Sequence, residues 1–329
     1  SFAPEDGSSV TKTFTSTVEF ALDDMTMLMN GEENPMMPSM EMDMNMIQTI
    51  TVSDKYGATS AGRPATLTRT YDAAGNEMEV EMVMDMMGQV QEDSSSGSGS
   101  SALEGSSVVF TWDADAGEYT KAFAEGSEGE DEHLEGLVED MDLRVLLPDG
   151  EVDEGDEWEI DLAGLVDILA PGGDLIIDLQ MDGAETAGGP DPTMMSNVRE
   201  MFGDMLEGSA SGKFTGTRDE DGVTVAVIEI EIEIDTAKDM SEFVEELMGD
   251  QIPAEVEMTL DRVDVEFALQ SSGILLWDIR GGHVYSLSIE GESAVSMDME
   301  MSMDMGGQAM TFEMSMEMSG TQKNEVSIN

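Results

Sequence analysis

The chain has no cysteine. Disulfides, thiol nucleophiles and thiolate metal sites are therefore excluded. It has two histidines, His133 and His283, too few for a three-histidine zinc centre. Basic residues are scarce: 13 Lys and Arg against 73 Asp and Glu leave a formal charge of −60. A surface of that sign repels nucleic acid and anionic membrane surfaces, so neither is expected as a partner. No apolar run approaches the ~20 residues of a membrane-spanning helix. There is no P-loop, no GxSxG and no GxGxxG. Carboxylates are so widespread that no pair stands out as acid and base. Together these absences lead us to expect a non-catalytic protein without a cofactor.

The 329 residues are 40% apolar, enough for a real core. The acids are spread along the whole chain rather than clustered. That distribution fits a saline habitat, where salt screens self-repulsion, better than a defined load of divalent cations. The sequence opens at Ser1 without an initiator methionine, a charged n-region or an apolar h-region. The expectation is a chain freed of its signal and placed outside the cytoplasm: periplasmic, on the cell surface or secreted.

The abundant residue is methionine, with 32 copies, and its placement is regular. Met40, Met42, Met44 and Met46 share one parity, as do Met78, Val80, Met82, Met84 and Met86. Met297, Met299, Met301, Met303 and Met305 follow, and after Gly306-Gly307 come Met310, Phe312, Met314, Met316 and Met318. Ile228, Ile230, Ile232 and Ile234 alternate with Glu in the same way. A helix would scatter these residues round its axis; a strand puts them all on one face. Strand is expected despite the weak strand preference of Met and Glu. In "AEVEMTLDRVDVEFAL" the parity slips, and one extra residue near Asp261-Arg262 restores a common face, as a β-bulge does. "WDADAGEY" and "RDEDGV" read as hairpin turns rather than calcium loops.

A period near 3.6 appears in "DEHLEGLVEDMDL", in "DPTMMSNVREMFGDMLEG" and in "DMSEFVEELMG", and a short helix is expected near Leu162–Leu169. The fold class is therefore mainly β (α+β): a large curved antiparallel sheet or open barrel with three to four short helices packed on one face. Residues 1–329 are expected as one β-rich domain, with "EDSSSGSGSSALEGSS" at 92–107 as a flexible loop; the alternative is two subdomains, 1–91 and 108–329. Trp112, Trp158 and Trp277 are expected at sheet edges or in the core.

Methionine in this pattern serves one of three purposes. It is plain core, although Met specifies packing less well than Leu, Ile or Val. It is an adaptable apolar surface, which suits carriage of an apolar small molecule or lipid. Or it is a soft-ligand set for Cu(I), which on a strand needs sulfurs from neighbouring strands, because same-face neighbours lie about 6.6 Å apart. The leading expectation is the second, with the methionines of the four alternating segments above as the lining. The alternative from a different class is a structural or assembly subunit, a homo-oligomer or fibre joined through strand edges.

"FAPEDGSSVTKTF", "LLPDGEVDEGDEWEI" and "GILLWDIRGGHVYSLSIEGE" combine a Pro-x-x-Gly opening strand, a V-x-x-G-D-x-W element and a W-D-x-x-x-G hairpin ahead of Met-alternating strands. In this the chain resembles uncharacterised secreted bacterial proteins. The resemblance implies export and carries no catalytic residues. At the level of fold alone it is similar to lipoprotein-carrier half-barrels.

The charge makes a first prediction. Raising sodium chloride from about 0.01 M to 1 M shortens the screening length from ~30 to ~3 Å. The thermal midpoint should rise over that range in a calorimetric titration, and an unchanged midpoint would mean that cations already occupy fixed sites.

Overall fold

The computed structural model describes residues 2–33, 39–86, 89–182, 206–241, 244, 257–304 and 309–328. The alternating segments are strands. β1 (Ser9–Met29) turns into the short β2 (Glu32–Glu33), and β3 (Ser39–Tyr56) leads through β4 (Thr59–Ser60) and β5 (Arg63–Pro64) to β6 (Thr66–Met86). β7 (Gln89–Ser101), β8 (Ser107–Asp113) and β9 (Glu118–Phe123) follow. β10 (Glu157–Glu159), α1 (Leu162–Leu169) and β11 (Ile177–Asp182) precede the last five strands, β12 (Gly208–Glu220), β13 (Val223–Asp239), β14 (Glu257–Asp278), β15 (His283–Asp304) and β16 (Ala309–Ile328). Six of these strands run for 18 to 22 residues, about 60–70 Å at ~3.3 Å per residue. Among the described residues no helix is long and apolar enough to cross a membrane.

The long strands form one antiparallel sheet in the order β10-β12-β13-β14-β15-β16-β1-β3-β6-β7-β11, with β8 and β9 attached beside β6. Its centre joins the two ends of the chain: β1 pairs with β16 from Lys12↔Ile328 to Met29↔Phe312. The sheet does not close into a barrel, since β10 and β11 end the order and do not pair. Residues 160–176 run from one edge strand to the other and carry α1. Gly291 and Gly320 sit where neighbouring backbones press close: a Cβ at Gly320 would fall 1.9 Å from the Glu19 carbonyl oxygen, and at Gly291 2.2 Å from that of Gln270. Glycine in mid-strand permits such close approach.

Directly paired residues share a face, so the register identifies one continuous inner face. Ile228, Leu275, Leu287, Val326, Phe14, Ile50 and Ala74 form a single row across seven strands, and all are buried. Residues 134–175 cover this half of the face, contributing Leu134, Leu137, Met141, Leu146, Leu165 and Ile168 to the same cluster. Asp161 starts α1 by accepting the Ala163 N–H at 3.1 Å. The next stretch of the inner face is polar, with Asn76, Gln48, Ser16 and Asn324 in one row. Beyond it come the methionines.

The expected bulge is present. Pairing passes from Leu260↔Met301 to Arg262↔Glu300, leaving Asp261 as the extra residue. Asp23 in β1 and Asp72 in β6 are extra in the same manner, and all three are exposed. An inserted aspartate keeps its charge in water while the apolar parity is restored on either side. The hairpin turns follow their sequence: Asp221-Gly222, at φ 51° and 87°, joins β12 to β13. Asp113 Oδ1 accepts from the N–H groups of Asp115 and Ala116 in the β8–β9 turn. Trp277 is buried in β14, Trp158 lies on edge strand β10 and Trp112 near the end of β8.

Two expectations need correction. In place of three to four helices, the only α-helix with both ends among the described residues is α1. The segment 131–143 holds only a short 3-10 turn, Asp131–Leu134. Gly136 at φ 68° and Leu143 at φ 56° interrupt helical geometry there, and Arg69 takes the carbonyls of Val138 and Glu139. Most of the expected helix at 191–208 falls outside the described residues. Of the one at 239–249, Ser241 and Val244 are helical, and 242–243 and 245–249 lie outside. The second correction is the Ser/Gly segment expected as a loop at 92–107. As far as Ser101 it is strand β7, paired with β6 from Met86↔Gln89 to Gly75↔Ser100. β6 offers an unpaired row of backbone donors and acceptors, and small side chains let another backbone satisfy it.

Leu287 is central to the sealed half. Leu287→Ala should cost about 2–5 kcal/mol of unfolding free energy, the usual range for such a cavity, measured by chemical denaturation at fixed salt.

Candidate functional site

Two groupings on the inner face hold chemistry. The first is a closed ion cluster at the sealed end. Lys12, Asp54 and Arg69 occupy positions whose parity is otherwise apolar, and all three are fully buried. Lys12 Nζ donates to Tyr56 Oη at 2.9 Å and lies 2.8 Å from Asp54 Oδ2 and 3.0 Å from Asp142 Oδ2. Arg69 holds Asp54 through Nε and Nη2 at 2.8 and 2.9 Å, and donates to the carbonyls of Val138 and Glu139 at 2.9 and 2.8 Å. Tyr56 Oη donates to Asp142 Oδ2 at 2.7 Å. Two cations thus meet two carboxylates, and every ammonium proton of Lys12 has a partner. Burial pushes the Asp54 carboxyl up, but Arg69 and Lys12 outweigh it and hold the group at about 2. Removing one member would leave charge buried without a partner, typically at a cost of about 3–5 kcal/mol. The cluster is closed to solvent, and its geometry ties residues 138–142 to the sheet. It anchors the cover and offers no access to a substrate.

Beside it, Arg144 is paired with Glu139 and lies 3.1 Å from Asp140 through Nε. Burial pushes the Glu139 carboxyl up to about 7, with the Asp140 charge adding to this and Arg144 opposing it.

The second grouping is the methionine end of the same face. The register lays out its rows. Val265, Met297, Met316 and Met25 form one; Val263, Met299, Met314 and Met27 the next; Leu260, Met301, Phe312 and Met29 the third. Met303 pairs with Met310. On β3 and β6, Met46 faces Met78, Met44 faces Val80, Met42 faces Met82 and Met40 faces Met84. Phe20 pairs with both Met44 and Gly320, which puts the two sets on one face. The two arms around 306–307 therefore do present their methionines to the same side. Met86 ends β6, and Met305 lies outside the described residues.

Strand alternation puts these methionines on the apolar face without burying them. All of those whose side chains are described are half-buried. The fully buried methionines among the described residues are Met141 and Met240, neither of them in the alternating set. Among the described residues, 134–175 seal the Phe14–Leu287 half of the face. Beyond the polar row the face stays buried on β13 and β14, where Ile234, Leu269 and Val263 are buried, and is half-buried where the methionines of β15, β16, β1, β3 and β6 lie. Sequence reasoning omitted Met25, Met27 and Met29 from the set. The signal was available: Asp23-Asp24 interrupts the even parity of Phe20 and Leu22, and the bulge at Asp23 restores the face.

The opposite face of the sheet is acidic. A broad groove of about 940 Å³ lies there, lined by Glu19, Glu231, Glu233, Glu290, Glu292 and Lys323 among others. Like charges stand directly opposite one another at Glu300↔Glu313, Asp264↔Asp298 and Asp43↔Glu81, an arrangement that destabilises pairing and is relieved by salt. Among the described residues no group of three His, Asp or Glu side chains is placed to hold a metal ion. No protein-family model matches the chain, and no curated protein matches it in sequence.

Glu139 supplies a pH prediction. Its folded pKa, about 7, lies above the ordinary 4.5. Between those values the unfolded chain gives up the proton that the folded chain keeps, so this group lowers stability as pH rises from about 4.5 to 7 and adds no further change above. Glu139→Gln should remove that decline. The gap in thermal midpoint between variant and wild type should widen from pH 4.5 to 7 and then stay level; a constant gap would refute the assignment.

Proposed function

We propose that the protein is a non-catalytic carrier or binding module for an apolar ligand, acting outside the cytoplasm, with the ligand held on the methionine end of the inner face. One observation carries this. A single sheet face is sealed at one end, where Leu287 is 2% and Ile50 1% exposed, yet half-buried along the methionine rows of β15, β16, β1, β3 and β6, where the side chains are thioethers. Methionine is unbranched and polarizable, so it conforms to guests of varied shape. Half-exposed apolar rows cost free energy in water, and burying them against an apolar guest recovers about 25 cal/mol per Å². The carboxylates of the opposite face keep the loaded protein soluble and away from anionic membrane surfaces. The ion cluster holds the sealed end rigid, so ligand exchange would be confined to the methionine end.

Native mass spectrometry of protein purified from its own source tests this, because it reports bound lipid, metal and oligomeric state together. A co-purifying apolar molecule is expected. Met301→Leu should cost less than about 1.5 kcal/mol, as volume-conserving swaps do, and should alter ligand retention. An empty, monodisperse monomer would overturn the carrier reading. An ordered oligomer without ligand would favour assembly through strand edges.

A further inference from the structure

Six methionines form a grid of two rows on three adjacent strands: Met297 and Met299 on β15, Met316 and Met314 on β16, Met25 and Met27 on β1. All six lie on the inner face and are half-buried. Along a strand same-face neighbours are about 6.6 Å apart, and adjacent strands are about 4.8 Å apart. The centre of any two-by-two block is then roughly 4 Å, in projection, from each of its four Cα atoms. A methionine side chain reaches that far, so four thioether sulfurs can converge above one point. Two such blocks share Met314 and Met316.

We propose that this grid is a thioether site for a soft monovalent cation, Cu(I). Thioether sulfur is a soft donor that favours Cu(I) and gives hard divalent ions little. The donors are neutral, so the bound ion keeps its single charge, and half-exposure lets it do so at modest desolvation cost. The chain's net charge of −60 raises the local concentration of any cation. Carboxylates on the opposite face cannot reach the same point, because side chains alternate across the sheet. β3 and β6 repeat the block with Met42↔Met82 and Met40↔Met84, so a second equivalent is expected there. The proposal does not rest on the carrier reading, although a ligand on this face would compete with the metal.

The test uses the full chain, confirmed free of apolar ligand by native mass spectrometry, titrated anaerobically with Cu(I) against a chromogenic Cu(I) chelator. Wild-type protein should withdraw Cu(I) from the chelator, and X-ray absorption should show sulfur-only coordination. M314L/M316L, the double change at the shared strand, should lose the grid's equivalent with circular dichroism and thermal midpoint retained. Met141→Leu, in the sealed core, should lose none. Should M314L/M316L fail to fold, M25L/M27L reads out the β1 block instead and should weaken uptake. No withdrawal of Cu(I), uptake unchanged in both double variants, or oxygen donors in the absorption spectrum would each overturn the site.

Discussion

Alternation of side chains along a strand is the constraint on which the rest of this structure depends. A strand of about twenty residues presents one set of side chains to one face over its whole length. Nothing in the backbone lets that face change character except the residues written on it, and nothing lets it change sides except an inserted residue. The protein uses both means. Along β16 the inner face runs from Val326 through Asn324 and Gln322 to Met318 and Met310 without a slip, so core, polar band and methionine rows are consecutive stretches of one surface. Along β1, β6 and β14 a single aspartate is inserted, and the face continues on the new parity.

Continuity of the face makes its coverage the decisive variable. Residues 134–175 seal one end with leucine, isoleucine and valine, which pack well and specify one arrangement. The ion cluster fastens that cover. Lys12 and Arg69 are paid for by Asp54 and Asp142, and the carbonyls of Val138 and Glu139 complete Arg69. Such a cluster adds little net stability over a well-packed apolar core, but it tolerates no other placement of its partners. At the open end thioethers replace branched aliphatics, and a surface that must accept guests or a soft metal gains from that adaptability.

The acidic face follows from the same alternation. Every second residue outside the core points to water, and here those positions are filled with Asp and Glu to the point where like charges oppose each other across strands. Screening by salt offsets this repulsion. Charge and methionine content are thus two sides of the same strands.

The strands, the facing of the two methionine arms, the bulge at Asp261 and the Asp221-Gly222 turn were legible in the sequence, because each depends on a few neighbouring residues and on backbone geometry. The candidate site was legible as a set of residues, apart from Met25, Met27 and Met29, which the bulge at Asp23 disguised. Three things were decided by tertiary structure alone. Serines 94–96 became strand because β6 lay beside them. Residues 131–143 did not form an α-helix, because Gly136 and Leu143 take positive φ and Arg69, remote in sequence, takes the carbonyls of Val138 and Glu139. The methionines are half-buried while Val263 and Leu269 of the same face are buried, and the cover over the sealed half reaches the sheet through Tyr56 and Asp142 across 86 positions of chain. Period and turn chemistry are short-range properties of the chain. Which part of a face is buried depends on what arrives from far along it.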